Sequence, residues 1–179
     1  MATLTAHDWV RAAARRLAAD GVDAVRVEPL AKELGVSKGS FYWHFPDRAA
    51  LLGALLVYWR DAGTAGVITQ VEQAAGDDPA RRLHRLVRLA FAHADRGFDG
   101  AVRAWAAREE RARTVVQEID EVRVAYLVRL LTDAEAPQPE LRAAVVYRTL
   151  LGEYAMRHAG SPALREDAVD ALADWALSR

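Results

Sequence analysis

The chain contains no cysteine among its 179 residues, which excludes disulfide bonds, thiolate catalysis and cysteine-ligated metals. It also lacks a basic, apolar N-terminal segment of the signal-peptide type and any apolar run long enough to cross a bilayer. Lysine is scarce, with Lys32 and Lys38 only, and the formal net charge is −1. We therefore expect a cytoplasmic protein without a membrane partner.

Helix signals divide the chain, and no strand pattern, internal repeat or low-complexity tract occurs. Thr5 and Asp8 have the spacing of a capping box and Gly21 is a stop signal, which together predict the first helix. Further helices are predicted from 48 to about 63 or 66 with an extension to about 75, twice within 79–107, and at 109–132, 139–158 and 162–178. With two short helices before 48, the predicted fold is all-α with about nine helices.

A tight turn between those two short helices is predicted around Gly35. Leu30, Ala31 and Leu34 have helical spacing, and Gly35 can adopt the left-handed conformation that ends their helix. Ser37 can then cap the next helix. Two short helices joined in this way are typical of a helix-turn-helix motif.

The second of these helices has an unusual outer face. At about 100° per residue, Phe41 and Phe45 share one side, whereas Trp43 points nearly the opposite way. Trp43 cannot join the core without rotating the two phenylalanines out of it. An outward tryptophan flanked by Lys38, Tyr42 and His44 indicates a binding surface.

The residues of this face suit the DNA major groove. Gly39 and Ser40, at the helix N-terminus, allow the backbone to approach base edges, and the helix dipole favours phosphate. Tyr42 and His44 can reach phosphates, and Trp43 can pack on sugar or a thymine methyl group. Asp47 is the expected N-cap of the following helix, and its first residue, Arg48, is expected to point its guanidinium at the DNA backbone. The predicted DNA-binding residues are Ser37, Lys38, Gly39, Ser40, Tyr42, Trp43, His44 and Arg48.

The pattern from Leu30 to Leu51, through Gly35-Val36-Ser37-Lys38-Gly39-Ser40-Phe41-Tyr42 and His44-Phe45, resembles the DNA-binding domain of the TetR family of bacterial transcriptional regulators. It covers about the first third of the chain. Arg48 is a departure, because lysine is commoner at that position in the family. In the family, the residues that match Ser37, Lys38, Gly39, Ser40, Tyr42, His44 and Arg48 usually contact DNA.

The resemblance implies two domains, a helix-turn-helix DNA-binding domain at 1–48 and a helical ligand-sensing and dimerisation domain at 49–179. It implies a repressor that binds double-stranded DNA as a homodimer and is released by a small, largely apolar effector. Residues 1–48 carry seven Arg and Lys against six Asp and Glu, a charge of +1. Such a weak charge favours two copies of the domain on a near-palindromic operator.

The helices after 48 supply candidates for a ligand pocket and a dimer interface. The candidate pocket residues are Tyr58, Trp59, Phe91, Trp105, Tyr126, Tyr154 and Met156. The helix predicted at 139–158 is apolar or small on nearly all sides, and the last helix has an apolar stripe, so both are expected at a symmetric interface. The candidate interface residues are Val145, Val146, Leu150, Leu164, Ala168, Leu172 and Trp175. Asp120 and Arg123 are expected to pair with each other.

Two alternatives to a DNA-binding regulator remain at this stage. One is a helix-turn-helix module that binds a protein partner and does not bind an operator. The weak net charge of residues 1–48 allows this interpretation. The other is an all-helical enzyme, which the sequence disfavours: Glu153 and His158 lack the spacing of a di-iron motif, and neither a P-loop nor a nucleophile elbow occurs. We predict no catalytic residue, no cofactor and no metal.

Overall fold

The computed structural model describes residues 4–73, 78–94 and 97–179, and these residues form helices and no strand. The all-α prediction is therefore confirmed. The α-helices are α1 (Ala6–Asp20), α2 (Val27–Glu33), α3 (Lys38–Tyr42), α4 (Arg48–Arg60), α5 (Gly66–Glu72), α6 (Pro79–Ala94), α7 (Phe98–Ala106), α8 (Glu110–Asp133), α9 (Pro139–His158) and α10 (Glu166–Leu177).

The first helix begins and ends at the predicted signals. The backbone N–H of Thr5 donates to the Asp8 carboxylate at 2.8 Å, and the N–H of Asp8 donates to the Thr5 hydroxyl at 3.4 Å, so the capping box is complete. Gly21 ends α1 with a φ of +79°, a conformation that glycine adopts without strain. The first helix is therefore fixed at both ends.

A π-helical turn, Asp61–Ala65, joins α4 to α5 without a break in the helical backbone. The described part of the chain thus contains about nine continuous helical rods, as predicted. The extension predicted to about residue 75 is seen up to Glu72, and 74–77 lie outside the described residues. The last helix begins at Glu166, later than the predicted 162, because the N–H of Leu164 donates to the buried Glu153 carboxylate at 3.0 Å and holds the preceding segment extended.

Two clusters of buried side chains hold the helices together. The first combines α1 to α4 with α7 and the first half of α8, and its largest fully buried members include Trp9, Leu17, Phe41 and Trp59. The second combines α5, α6, α9 and α10 with the second half of α8. Burying each large apolar side chain stabilises the fold by about 1.5–3 kcal/mol. The helix-turn-helix thus shares a core with helices beyond 48.

Within the described ranges, no helix combines the length and the apolar character that crossing a membrane requires.

Candidate nucleic-acid interface and ligand cavities

The turn between α2 and α3 has the predicted geometry. Gly35 has a φ of +69°, and its N–H donates to the carbonyl of Lys32 at 3.2 Å. The N–H of Val36 donates to the carbonyl of Ala31 at 3.0 Å, so carbonyls at the end of α2 are satisfied within the turn. Ser37 occupies the N-cap of α3, but its side chain makes no capping hydrogen bond, contrary to the prediction. Its hydroxyl is therefore not committed to holding the helix.

The two faces of α3 separate as predicted. Phe41 is fully buried, with its ring at 5.3 Å from that of Trp9 on α1 in an edge-to-face arrangement, and Phe45 is buried beside it. Trp43, in contrast, is 89% exposed and Tyr42 is 55% exposed. The inner face therefore fixes α3 on the core, while the outer face presents two aromatic side chains to solvent.

The remaining residues of this surface are accessible, with Ser40 and His44 half-buried. A Cβ atom added at Gly39 would have only the Ser37 hydroxyl within reach, at 3.6 Å, which is ordinary contact. The fold itself therefore does not require glycine at this position. Close approach to a ligand such as a base edge stays the predicted reason for Gly39.

The two cations of the surface are engaged within the protein. Lys38 forms an ion pair with Glu28 of α2, and this hydrogen bond raises the pKa of Lys38 above its usual value. The Arg48 guanidinium donates to the carbonyls of Val25 at 2.6 Å and Val22 at 2.7 Å. Arg48 was expected to point at the DNA backbone, and this expectation is corrected: it ties α4 to the turn after α1. The cause is local, because both carbonyls lie in or directly after the short 3-10 turn that follows α1, where the Val22 carbonyl also accepts the N–H of Val25 at 3.1 Å.

A small inner cavity lies between α5, α6, α8 and α9, with a volume of about 50 Å³. Three of the candidate pocket residues line it, namely Phe91, Tyr126 and Tyr154. Gly63 and Thr64 of the π-helical turn and Arg123 of α8 also face it. Its lining is predominantly apolar, and its volume is small beside the roughly 150 Å³ of a cavity that holds benzene.

A larger outer cavity of about 250 Å³ lies between α1, the α4 end and α7. Two further pocket candidates, Tyr58 and Trp59, line it together with Tyr154. Gly63, Arg123 and Tyr154 border both cavities, so the two spaces are neighbours separated by these side chains. The outer cavity is bounded by α1 on one side and by later helices on the other.

Two of the candidate pocket residues lie elsewhere. Trp105 is buried in the first core cluster, where its indole donates to Glu109 at 2.6 Å, and it lines neither cavity. Met156 is 56% exposed on the outer side of α9 and also lines neither cavity. Helical spacing placed both on apolar stripes, but it does not tell which neighbour each stripe meets.

A network of buried charges borders the cavities. The Asp99 carboxylate accepts from the indole of Trp59 at 2.9 Å, from Arg103 at 2.6 Å and from Arg123 at 3.1 Å. Arg103 also forms a bidentate pair with Asp120, at 2.8 and 3.0 Å. Asp120 and Arg123 were expected to pair with each other; instead each pairs with a residue of α7. Sequence spacing on one helix did not indicate partners on another.

The network controls the protonation of its members. Burial alone would lower the pKa of Arg103, but the hydrogen bond to Asp120 and the Asp99 charge raise it above the usual value. Burial raises the pKa of Tyr147, whose hydroxyl donates to Asp120 at 2.5 Å, to about 12. Burial likewise raises the pKa of Tyr154. These phenols are therefore neutral hydrogen-bonding groups, and the two arginines are balanced by two aspartates.

The outer faces of α9 and α10 carry exposed apolar side chains. Val145 is 39% exposed and Trp175 is 43% exposed. Leu164, which precedes α10 in the chain, is also exposed. Ala168 and Leu172 are half-buried. Two other interface candidates, Val146 and Leu150, are buried and line the inner cavity, which corrects that assignment. The helix α9 is apolar on both sides, and these two residues lie on the side that packs on α8.

Comparison with known proteins agrees with this geometry. The model of the bacterial regulatory proteins of the tetR family matches residues 10–55, which contain α2, the turn and α3. No curated protein sequence matches the chain. The fold is similar to that of a transcriptional regulator from Rhodococcus sp. Rha1, with a TM-score of 0.79 and 23% identity over 97% of this chain and 96% of the other.

Two further solved structures have the same fold. A protein from a Rhodococcus species, assigned to the TetR family, has a TM-score of 0.74 and 23% identity over 97% of this chain and 98% of its own. The fatty acid degradation regulator FadR from Bacillus halodurans has a TM-score of 0.74 and 18% identity over 97% and 94%. The tetR family model thus matches the helix-turn-helix region, and the fold of solved TetR-type regulators extends over nearly the whole chain.

Proposed function

We propose that the chain is a cytoplasmic transcriptional repressor without catalytic activity, which binds a near-palindromic operator as a homodimer and is released by a small, largely apolar ligand. Residues 1–48 form its DNA-binding domain, and 49–179 its ligand-sensing and dimerisation domain. The observation that carries the proposal is the outer face of α3, where Trp43 is 89% exposed directly beside buried Phe41 and Phe45.

An exposed indole on a short helix has no role in stabilising the monomer. Keeping such an apolar surface in water is unfavourable, and it marks an interaction site when polar groups surround it. Here the surrounding groups are Lys38, Tyr42 and His44, which hydrogen-bond or pair with phosphate. The helix is too short to bind a partner along its length, but it is long enough to place its N-terminal residues in a major groove.

The exposed apolar side chains of α9 and α10 support the dimer. Val145 and Trp175 lie on the last two helices of the chain, and both carry exposed apolar area that a second copy would cover. A twofold axis through such a surface makes the interface self-complementary. Binding of both copies to one operator requires the two α3 helices to lie about 34–36 Å apart, in successive major grooves.

The two cavities support ligand control. Both border the π-helical turn that continues α4, and α4 shares the first core cluster with α1 and α3. A ligand that binds better to one spacing of the two DNA-binding domains shifts the population toward that spacing. Among the described residues no cluster of His, Asp and Glu is arranged to hold a metal ion, and we propose an organic effector.

The test is selection of bound sequences from a random duplex pool by the purified protein at near-physiological salt, because affinity depends on salt. We expect enrichment of an inverted repeat. The double variant Tyr42→Ala/His44→Ala should lose this enrichment while keeping its helical content and oligomeric state. His158→Ala, a change at an exposed position on α9, serves as the control and should select the same repeat.

Enrichment of no sequence, with a protein that is folded and dimeric, would favour the helix-turn-helix module that binds a protein partner. Enrichment of a single half-site by a monomer would overturn the dimer. An unchanged selection by the double variant would show that the outer face of α3 is not the DNA-binding surface.

A further inference from the structure

The outer cavity lies between two parts of the molecule that regulation must couple. Arg11, Ala14, Arg15 and Ala18 of α1 form one wall, and Tyr58, Trp59 and Phe98 form the other. The opposite face of α1 carries Trp9, whose ring meets Phe41 of α3 at 5.3 Å. One helix therefore separates this cavity from the proposed DNA-binding helix.

The lining of the outer cavity carries more positive than negative charge. Arg11, Arg15 and Arg123 line it against a single acid, Asp99. The Asp99 carboxylate already accepts three hydrogen bonds, so it is compensated within the protein. Arg15 pairs with Glu33 at 3.0 Å, whereas Arg11 forms no ion pair with any residue in the described ranges. An anionic group is therefore favoured at the rim beside Arg11.

The body of the site is apolar and aromatic. The rings of Tyr58 and Phe98 lie 6.0 Å apart in a tilted arrangement, and the Trp59 indole borders the same space. A dry cavity of about 150 Å³ holds benzene, and the outer cavity, at about 250 Å³, is large enough for a molecule with one ring. The inner cavity, at about 50 Å³, cannot hold a molecule of that size.

From these observations we propose that the outer cavity binds a small aromatic or alicyclic carboxylate, with its ring against Tyr58 and Phe98 and its carboxylate at Arg11. The proposal rests on the ligand control proposed above and identifies its site and the chemical class of the effector. The bound molecule fills the space between α1 and α7. Its binding therefore changes the position of α1 and, through Trp9 and Phe41, the position of α3.

The test is calorimetric titration of the full chain with benzoate, phenylacetate and cyclohexanecarboxylate, with benzamide as the neutral match of benzoate. We expect saturable binding of at least one carboxylate at low millimolar concentration, and binding of benzoate to be stronger than that of benzamide. Arg11→Gln should weaken carboxylate binding about two- to fivefold, the effect of one exposed ion pair. It should leave benzamide unchanged.

Three substitutions of alanine by leucine, two in the outer cavity and one in the inner cavity, separate the two sites. Ala62→Leu, at an exposed position of the π-helical turn that lines only the outer cavity, should weaken carboxylate binding at least about tenfold by occupying the space. Ala90→Leu, at a position that lines only the inner cavity, should leave it unchanged. Ala18→Leu fills the outer cavity from α1 and should act as Ala62→Leu does.

The proposal is overturned if none of the three carboxylates saturates the wild-type chain, if benzamide binds as well as benzoate, or if Ala90→Leu abolishes binding while Ala62→Leu does not. DNA binding is measured separately, in the absence of any carboxylate. A chain that selects an inverted repeat but binds no carboxylate keeps the proposed function and loses this inference. A chain that binds carboxylate at the outer cavity but selects no DNA keeps the carboxylate site and loses the proposed DNA-binding function.

Discussion

The indole Nε1 of Trp59 donates to the carboxylate of Asp99 across 2.9 Å, and this bond joins α4 to the first turn of α7. The same carboxylate holds the guanidinium groups of Arg103 and Arg123, and the Arg123 guanidinium lies 4.9 Å from the centre of the Trp59 ring. Because α4 begins directly after the helix-turn-helix, Asp99 connects that motif with the outer cavity, which it lines, and through Arg123 with the inner cavity.

Asp99→Asn should therefore destabilise the protein strongly. The amide keeps the shape of the carboxylate but not its charge, and it leaves two arginines with side chains 19% and 9% exposed without their shared partner. Breaking a buried ion pair in this way costs about 3–5 kcal/mol, and we expect a loss of free energy of unfolding near the lower end because Arg103 retains Asp120. Urea unfolding at neutral pH measures this loss of free energy of unfolding.

The matched control for that change is Asp170→Asn, which removes an equally short bidentate pair with Arg88 on the surface. Solvent screens this pair, so the free energy of unfolding should fall much less than in Asp99→Asn. Equal losses in the two variants would mean that the buried network contributes no more than a surface pair.

The free energy of unfolding should fall at high pH because the buried phenol of Tyr147 ionises less readily in the folded chain than in the unfolded chain. Burial raises the pKa of its phenol to about 12 from the value of 10.0 expected in the unfolded chain. Between pH 10 and 12 the unfolded chain has released this proton while the folded one retains it, so the folded state binds more protons and its stability decreases as pH rises. The stabilisation is complete below pH 10 and amounts to about 2–3 kcal/mol.

Urea unfolding at a series of pH values checks this dependence. Tyr147→Phe removes the titrating group, so its stability should change less between pH 10 and 12 than that of the wild type. Some slope should remain, because burial also raises the pKa of Tyr126 to about 12 and that of Tyr154. Identical slopes in both proteins would show that Tyr147 is not titrating with the fold.

The sequence predicted those parts of the fold that depend on local signals. The capping box of Thr5 and Asp8, the left-handed Gly35, and the opposed faces of Phe41 and Trp43 all follow from residues within one or two helical turns of each other. Helix bounds were predicted closely for the same reason. The exception is the start of α10, which depends on the contact of Leu164 with Glu153 from another helix.

Partners distant in sequence were not predictable in the same way. Arg103 meets Asp120, and Trp59 meets Asp99, because three helices converge, and no spacing in one helix specifies this. Val146 has the same apolar character as Val145, yet one lines the inner cavity and the other faces solvent. A helix that is apolar on both sides indicates burial on both sides, but it does not indicate which side meets the core.

Val145→Glu should dissociate the proposed dimer without unfolding the monomer. Val145 is 39% exposed on the outer side of α9, so a charge there is solvated in the monomer. In a symmetric interface it would be buried twice, next to its own copy or other apolar groups. We expect the dimer dissociation constant to rise at least about 100-fold, measured by analytical ultracentrifugation.

Val57→Glu is the matched control, because Val57 has similar exposure on α4, outside the proposed interface. It should leave the dissociation constant unchanged. Dissociation by Val57→Glu and not by Val145→Glu would place the interface on another face of the molecule.

Glu28→Gln should strengthen DNA binding. In the free protein Lys38 pairs with Glu28, so a phosphate must compete with a carboxylate that also repels it. Removing that negative charge should raise affinity for the selected operator about two- to tenfold at constant salt, as followed by fluorescence anisotropy. An unchanged affinity would show that Lys38 does not contact the DNA backbone.

Arg48→Lys separates a structural role from a DNA-binding role at that position. Lysine preserves the charge but cannot donate to the carbonyls of Val22 and Val25 together in the geometry of the guanidinium. The free energy of unfolding should therefore fall by about 1–3 kcal/mol, the contribution of hydrogen bonds made by a charged group. Operator affinity, measured well below the unfolding temperature of the variant, should stay within about twofold, because this side chain faces the protein. A variant as stable as the wild type but with weakened operator binding would instead mean that Arg48 leaves those carbonyls and contacts DNA in the complex.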